Sequence, residues 1–177
     1  MNCNPKNPHR KNLRLKEYDY SKNGMYYITI CTQNRECILS KIIEYEENNV
    51  KPVGVGVLDD PKIENIKIKL LKPGEFIKKQ IQLMNRLYKD IKIIDYVIMP
   101  NHIHFILILK NNNVINLKDF ITTYKSTVTK KINKIETIKI WQRNYYEHII
   151  RNEKELYAII EYIQNNPINW RKDSLNI

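Results

Sequence analysis

Two apolar runs joined by a short turn constrain the fold of this chain more than any other feature. Ile91 to Met99 and His102 to Leu109 are dominated by Ile, Val, Leu and aromatic residues, and only Pro100-Asn101 separates them. Runs of this kind on either side of a tight turn read as two neighbouring antiparallel strands. The second run is apolar on both faces after its start, which places it inside a sheet.

The remaining elements follow from periodicity and breakers. Met25 to Thr32 reads as a strand, Glu44 to Pro52 as a loop, and Val53 to Leu58 as a short strand ended by Asp59-Asp60-Pro61. Lys72-Pro73-Gly74 reads as a turn. Glu75 to Tyr88 then places Phe76, Ile77, Ile81, Met84, Leu87 and Tyr88 at helical spacing, with Lys78 and Lys79 outward. Asn111 to Asn113 is a loop and Leu117 to Ile132 an amphipathic helix. Trp141 to Ile150 is an irregular aromatic edge strand, and Glu153 to Asn165 a last helix stopped by Pro167. This order predicts an α+β sandwich, ferredoxin-like or RRM-like, with helices packed on a central antiparallel sheet. The 177 residues suit one domain over 24–170. A basic arm (1–23, with Pro5, Pro8 and the cluster His9 to Lys16) precedes it, and a short tail (171–177) follows.

Charge points to a polyanion. Thirty Lys and Arg against 19 Asp and Glu give a net charge of +11, a field that attracts phosphates. Cys3, Cys31 and Cys37 fit neither a zinc site nor a disulfide framework, so reduced cytosolic thiols are expected. Met1 to Asn12 lacks an apolar signal core and no run is long enough to span a membrane. The expectation is a cytoplasmic, nucleoid-associated protein. Gly54-Val55-Gly56 lacks the third glycine and the lysine of a phosphate-cradling loop, which argues against nucleotide binding.

His102 and His104 are two apart on a strand and therefore share a face, roughly 6–7 Å apart along it. They can converge on one cation, or they can be hydrogen-bonded structural histidines; burying both without a partner is costly. Their place at the start of the strand puts them at the sheet's edge, where coordination positions stay open. The last helix adds a second signal. Leu156, Ile159, Ile160 and Ile163 form its apolar stripe, and Tyr162 points roughly 120° from the stripe's centre, sharing a face with Ala158 and Asn166. Tyr162 is either a surface tyrosine or a nucleophile. A phenol of pKa near 10 needs a nearby cation to attack a phosphodiester at neutral pH.

Three blocks in this order resemble a known family. Val97-Ile98-Met99-Pro100-Asn101-His102-Ile103-His104-Phe105 resembles the His-hydrophobic-His segment of HUH single-tyrosine transposases. Trp141 to Arg151 and Tyr162-Ile163-Gln164-Asn165-Asn166-Pro167 resemble the C-terminal blocks of the REP-associated tyrosine transposases, relatives of the small insertion-sequence transposases. Tyr26 to Arg35 is also similar to this branch, so the resemblance spans Leu13 to Trp170. It implies His102, His104 and Asn166 as ligands of Mg²⁺ or Mn²⁺ and Tyr162 as the nucleophile. The substrate would be single-stranded DNA next to a palindromic hairpin, cleaved to a 5′-phosphotyrosine and a free 3′-OH. Two imidazoles suit Mn²⁺ better than Mg²⁺. The branch implies a monomer more than a homodimer. Some relatives use a C-terminal tail to organise the site, and here the tail is short.

Candidate DNA contacts are Lys125, Lys130, Lys131, Arg143, Tyr145, His148 and Arg151. The helix lysines, with Lys118 and Lys134, either track phosphates or form a solvated face. Trp141, Tyr145 and Tyr146 beside Arg143 either stack on unpaired bases or pack as edge-strand core. His148 is given a structural or DNA-contact role rather than a catalytic one. Two other functions fit the same fold: a non-catalytic hairpin-binding module for DNA or RNA, and a zinc hydrolase using the His pair. The hydrolase needs a third strong ligand and a general base, and the carboxylate expected near the pair is Asp95.

Overall fold

A computed structural model describes residues 23–44, 66–110, 116–135 and 137–176. Its elements are β1 (Gly24–Cys31), β2 (Ser40–Glu44), β3 (Ile66–Leu70), α1 (Lys72–Leu87), β4 (Ile91–Ile98), β5 (His102–Leu109), α2 (Leu117–Ile132), β6 (Tyr146–Ile150) and α3 (Glu153–Asn165). Four strands form an antiparallel sheet in the order β4-β5-β1-β6. Without the β2–β3 hairpin and α3, the order β-α-β-β-α-β on this sheet is the expected ferredoxin-like layout. The strand read over Val53 to Leu58 and the loop over Asn111 to Asn113 lie outside the described residues, as do residues 1–22.

Alternation along the strands divides the sheet into two unlike faces. Tyr26, Ile28 and Ile30 of β1, with Ile103, Phe105 and Leu107 of β5, point to one side and are 0% exposed. There they meet Ile77, Ile81 and Met84 of α1 and Phe120, Ile121, Tyr124 and Val128 of α2 in one core. Each such side chain, fully buried, contributes roughly 1.5–3 kcal/mol of transfer free energy. The other side is thinner. Val97, Met99, Ile106 and Ile150 pack under Ile163 of α3, with Leu156, Ile159 and Ile160 half-buried around it, and Ile42 and Ile68 of the hairpin alongside. The α3 stripe read from the sequence is thus the one that packs.

Two readings of the elements need correction. Lys72-Pro73-Gly74 is not a turn but the first turn of α1. Proline is tolerated there because the first helical N–H groups have no intrahelical partner. Gly74 is required by contact: a Cβ on it would lie 2.2 Å from the carbonyl oxygen of Leu39. Glu44, placed in a loop by the sequence, ends β2 opposite Ile66.

Candidate active site

The second face of the sheet carries the polar cluster. Thr29 pairs with His104 and Cys31 with His102 across the β1–β5 ladder, so Tyr27, Thr29, His102 and His104 share that face. The imidazole centroids are 4.5 Å apart. The pair stands at the start of β5, an internal strand, as the sequence places it, but it is not open to solvent as expected: His102 and His104 are 0% and 2% exposed. Access comes instead from a cavity of about 520 Å³ that reaches His104 and Tyr162.

Hydrogen bonds set which nitrogen of each ring is free. Asn101 Nδ2 donates to the Leu175 carbonyl at 2.7 Å. That orients its Oδ1 to accept from His102 Nδ1 at 2.8 Å. His102 therefore carries its proton on Nδ1 and keeps a lone pair on Nε2. His104 Nδ1 lies 2.7 Å from Tyr27 Oη and 2.8 Å from Thr29 Oγ1. Both hydroxyls can accept its proton, leaving Nε2 of His104 bare as well.

The free atoms converge. His102 Nε2, His104 Nε2, Asn166 Oδ1 and Asp173 Oδ2 are all buried without a hydrogen-bond partner among the described residues. One donor atom each from His102, His104 and Asp173 lie within 4.8 Å of one another. Asn166 is 3% exposed and caps α3. Asp173 is held by its own turn: Leu175 N–H donates to Asp173 Oδ1 at 2.7 Å, leaving Oδ2 at 3.7 Å from His102 Nε2. Buried acceptors are normally satisfied. Two imidazole nitrogens, an amide oxygen and a carboxylate oxygen form a donor set that fits a divalent cation such as Mn²⁺ or Mg²⁺. Asp95, the carboxylate expected near the pair, instead accepts from the N–H of Tyr96.

Tyr162 stands beside this cluster, 48% exposed, its ring 5.6 Å from that of His104 and 6.2 Å from that of Tyr27. Burial and the Asp173 carboxylate push its phenol above the ordinary value, while Asn166 and Tyr27 partly offset this. Burial holds His102 down to about 4, against the opposing pull of Asp173. Burial and the charge of His102 also push His104 well down. Both rings are therefore neutral near pH 7, the form that ligates metal.

The remaining candidates divide between cavity and scaffold. Tyr145 and Tyr146 line the cavity, and Arg143 is exposed nearby. Lys125 is tied down, its Nζ donating to the carbonyls of Gln142 at 2.7 Å and Arg143 at 3.1 Å. Lys130 is exposed and Lys131 half-buried on α2, on the side of the sheet away from the His pair. His148 Nε2 is 2.5 Å from Glu155 Oε1, and the Arg151 N–H donates to Glu155 Oε2 at 2.7 Å. Cys31 and Cys37 are free thiols. No described helix is long and apolar enough to cross a membrane. Sequence reading did not find Asp173, Asn101, Tyr27 or Thr29. For the last two the signal was present, since alternation places both on one strand face.

The family model described as "Transposase IS200 like" matches residues 73–166, and the chain belongs to that family. An uncharacterised Haemophilus influenzae protein is 34% identical over 190 residues, covering 96% of this chain and 94% of its own length. A second H. influenzae protein, named for the REP-associated tyrosine transposases, is 32% identical over 81 residues, covering 40% of this chain and 46% of its own. The solved structure of a REP-associated tyrosine transposase bound to a REP hairpin superposes with a TM-score of 0.58 at 20% identity, covering 88% of this chain and 74% of that one. The resemblance read from the sequence blocks, and the α+β fold expected with it, are borne out.

Proposed function

We propose that this transposase-family chain nicks and rejoins single-stranded DNA beside a palindromic hairpin, with Tyr162 as nucleophile. The observation that carries the reading is the convergence of three unpartnered donor atoms, from His102, His104 and Asp173, next to an off-core tyrosine. His102, His104 and Asn166 hold a divalent cation, and Asp173 adds a carboxylate oxygen from the C-terminal segment. When bound, that cation withdraws charge from the phosphate and favours the phenolate. Tyr162 Oη forms the bond to phosphorus and the P–O3′ bond breaks, leaving a 5′-phosphotyrosine and a 3′-oxygen that takes up a proton. The ester conserves the bond energy, so a second 3′-OH can reverse the step. Tyr27 and Thr29 hold the His104 ring in place, and α3 carries Tyr162 and Asn166 one turn apart so that both reach the same centre.

The hairpin partner is supported by the net charge of +11 and by the solved relative, which is bound to a REP hairpin. The test uses oligonucleotides drawn from palindromes flanking the gene, with Mn²⁺, Mg²⁺ or Zn²⁺. The wild type should form a covalent protein–DNA adduct visible on a denaturing gel with Mn²⁺ or Mg²⁺. Tyr162→Phe should lose it and still bind the oligonucleotide. An adduct retained in Tyr162→Phe excludes this nucleophile. Binding without cleavage under every metal favours the non-catalytic hairpin module instead.

A further inference from the structure

The cavity beside Tyr162 contains a charge that this chemistry has not used. Arg35 lines it together with Tyr27, His104, Tyr145, Tyr146 and Tyr162. Arg35 Nη1 is buried and has no hydrogen-bond partner among the described residues. A guanidinium nitrogen removed from water without an acceptor is destabilising. No carboxylate lines this cavity, and Arg35 is the one Lys or Arg among its lining residues.

The backbone is bent to place that side chain there. Asn34 and Arg35 have φ of 54° and 59°, the only non-glycine residues with positive φ among those described. The left-handed region is unfavourable for residues with a Cβ, and such strain persists only where the surroundings impose it. Here they do. Thr32 N–H donates to the Asn101 carbonyl at 2.8 Å, Thr32 Oγ1 lies 2.9 Å from the same oxygen, and Gln33 N–H donates to the Ile140 carbonyl at 2.7 Å. The turn that carries Arg35 is thereby fastened to the residue immediately before His102. A strained turn, locked to the metal-ligand strand, holds an unpaired cation in the cavity that opens on Tyr162.

We propose that Arg35 is the phosphate-binding residue of this cavity, its guanidinium taking a non-bridging oxygen of the DNA phosphodiester. The inference rests on the reading that Tyr162 attacks a phosphodiester here, and it adds the group that positions it. Arginine suits the role because its planar fork of donors matches two phosphate oxygens at once and stays charged at any relevant pH. With His104 and Tyr162 on the same cavity, a phosphate seated on Arg35 shares that cavity with the nucleophile and with one of the proposed metal ligands. That location gives the otherwise uncompensated donor its acceptor.

The test measures binding rather than turnover. A 5′-fluorescein-labelled dT12 strand is titrated in EDTA at several salt concentrations, read by anisotropy. Arg35→Gln should weaken binding about tenfold or more at low salt and lower the salt slope by about 0.7, the value for one lost phosphate contact on a single strand. Arg35→Lys should keep the slope. Lys78→Gln, on the exposed face of α1, serves as the charge-matched control and should leave affinity close to that of the wild type. Arg35→Gly removes the side chain but relieves the left-handed backbone. It should match Arg35→Gln in binding while holding or raising Tm. Wild-type affinity and slope in Arg35→Gln and Arg35→Gly, or a loss no greater than that of Lys78→Gln, overturns the assignment. A lowered Tm with unchanged binding also overturns it, since Arg35 would then be a structural prop. If no adduct forms in any variant but the Arg35 effect on binding stands, the Tyr162 reading fails and this one survives.

Discussion

Asn101 Nδ2 donates a 2.7 Å hydrogen bond to the backbone carbonyl of Leu175, across 74 positions of sequence. A carbonyl can only accept, so this bond fixes the amide's orientation, and with it the proton on His102 Nδ1 and the lone pair on Nε2. The C-terminal segment thus orients His102 on β5 through one buried amide, and the same segment carries Asp173.

Asn101→Leu should lower Mn²⁺ affinity by about 10- to 100-fold, the usual effect of losing a partner that orients a metal-bound histidine. Asn101→Asp still accepts from His102 Nδ1 but opposes the Leu175 carbonyl. It should bind Mn²⁺ more tightly than the Leu variant while loosening the tail. Electron paramagnetic resonance of free Mn²⁺ during titration checks both. Wild-type affinity in the Leu variant would remove the tautomer argument.

The metal-free protein should lose stability on acidification. Burial lowers His102 from 6.5 to about 4. As pH falls below 6.5 the unfolded chain protonates this imidazole and the fold resists until about 4. The unfolded state binds more protons in that window, so stability falls with falling pH, by roughly 3 kcal/mol across it. His104, depressed in the same direction, adds to the trend. Urea midpoints in EDTA at pH 7.5 and pH 5 measure it, and His102→Gln should flatten the difference. A wild-type profile already flat over that range would contradict the argument.

These features were unequally legible in the sequence. β5, α2 and α3 have the bounds that periodicity predicts, because their apolar spacing is strong and their ends carry Asn caps or a following proline. The His pair and Tyr162 were legible for the same reason: alternation and helical rotation state where a side chain points. The β2–β3 hairpin was not read, although β3 alternates Ile with Lys as a half-buried strand should, because its strands are five residues each and no short turn in sequence joins Glu44 to Ile66. Asp173 lies in a segment without periodicity. Its nearness to His102 is a property of how the chain returns after Trp170, whose ring stands 6.0 Å from that of His102. Arg35 depends on a left-handed turn that local propensity favours at Asn34 but not at Arg35 itself.

Gly74 shows a related failure of local rules, and it makes a sharp prediction about the fold. Pro-Gly is ordinarily a turn signal, yet here α1 runs through it because the helix start packs backbone against backbone. Leu71 N–H donates to the Leu39 carbonyl at 2.9 Å, and that same oxygen lies 2.2 Å from where a Gly74 Cβ would be. In an open helix Gly→Ala would be stabilising by up to about 1 kcal/mol. Here it should be destabilising, because the clash is with main chain that cannot rotate away, by roughly 1–3 kcal/mol as for other overpacked sites. Thermal denaturation decides the sign, and a raised Tm would mean that the α1 start can move off the Leu39 segment.

Lys125 separates a scaffold role from a DNA role. The sequence placed it in a lysine stripe that could track phosphates, but its Nζ donates to the Gln142 and Arg143 carbonyls, and the chain it holds leads into Asn144, Tyr145 and Tyr146 on the cavity wall. Burial also depresses its pKa, as expected for an ammonium drawn away from water. Lys125→Met keeps the aliphatic stem and removes the donor, leaving those carbonyls without it. It should destabilise the protein by about 1–3 kcal/mol and reduce the salt slope of dT12 binding by less than the roughly 0.7 of a direct phosphate contact. Lys130→Met, exposed five residues further along α2, should leave Tm unchanged, and any loss of salt slope there would mark a true phosphate contact. If Lys125→Met instead keeps the wild-type Tm and loses the full slope increment, its ammonium leaves the carbonyls for DNA and the stripe reading is the correct one.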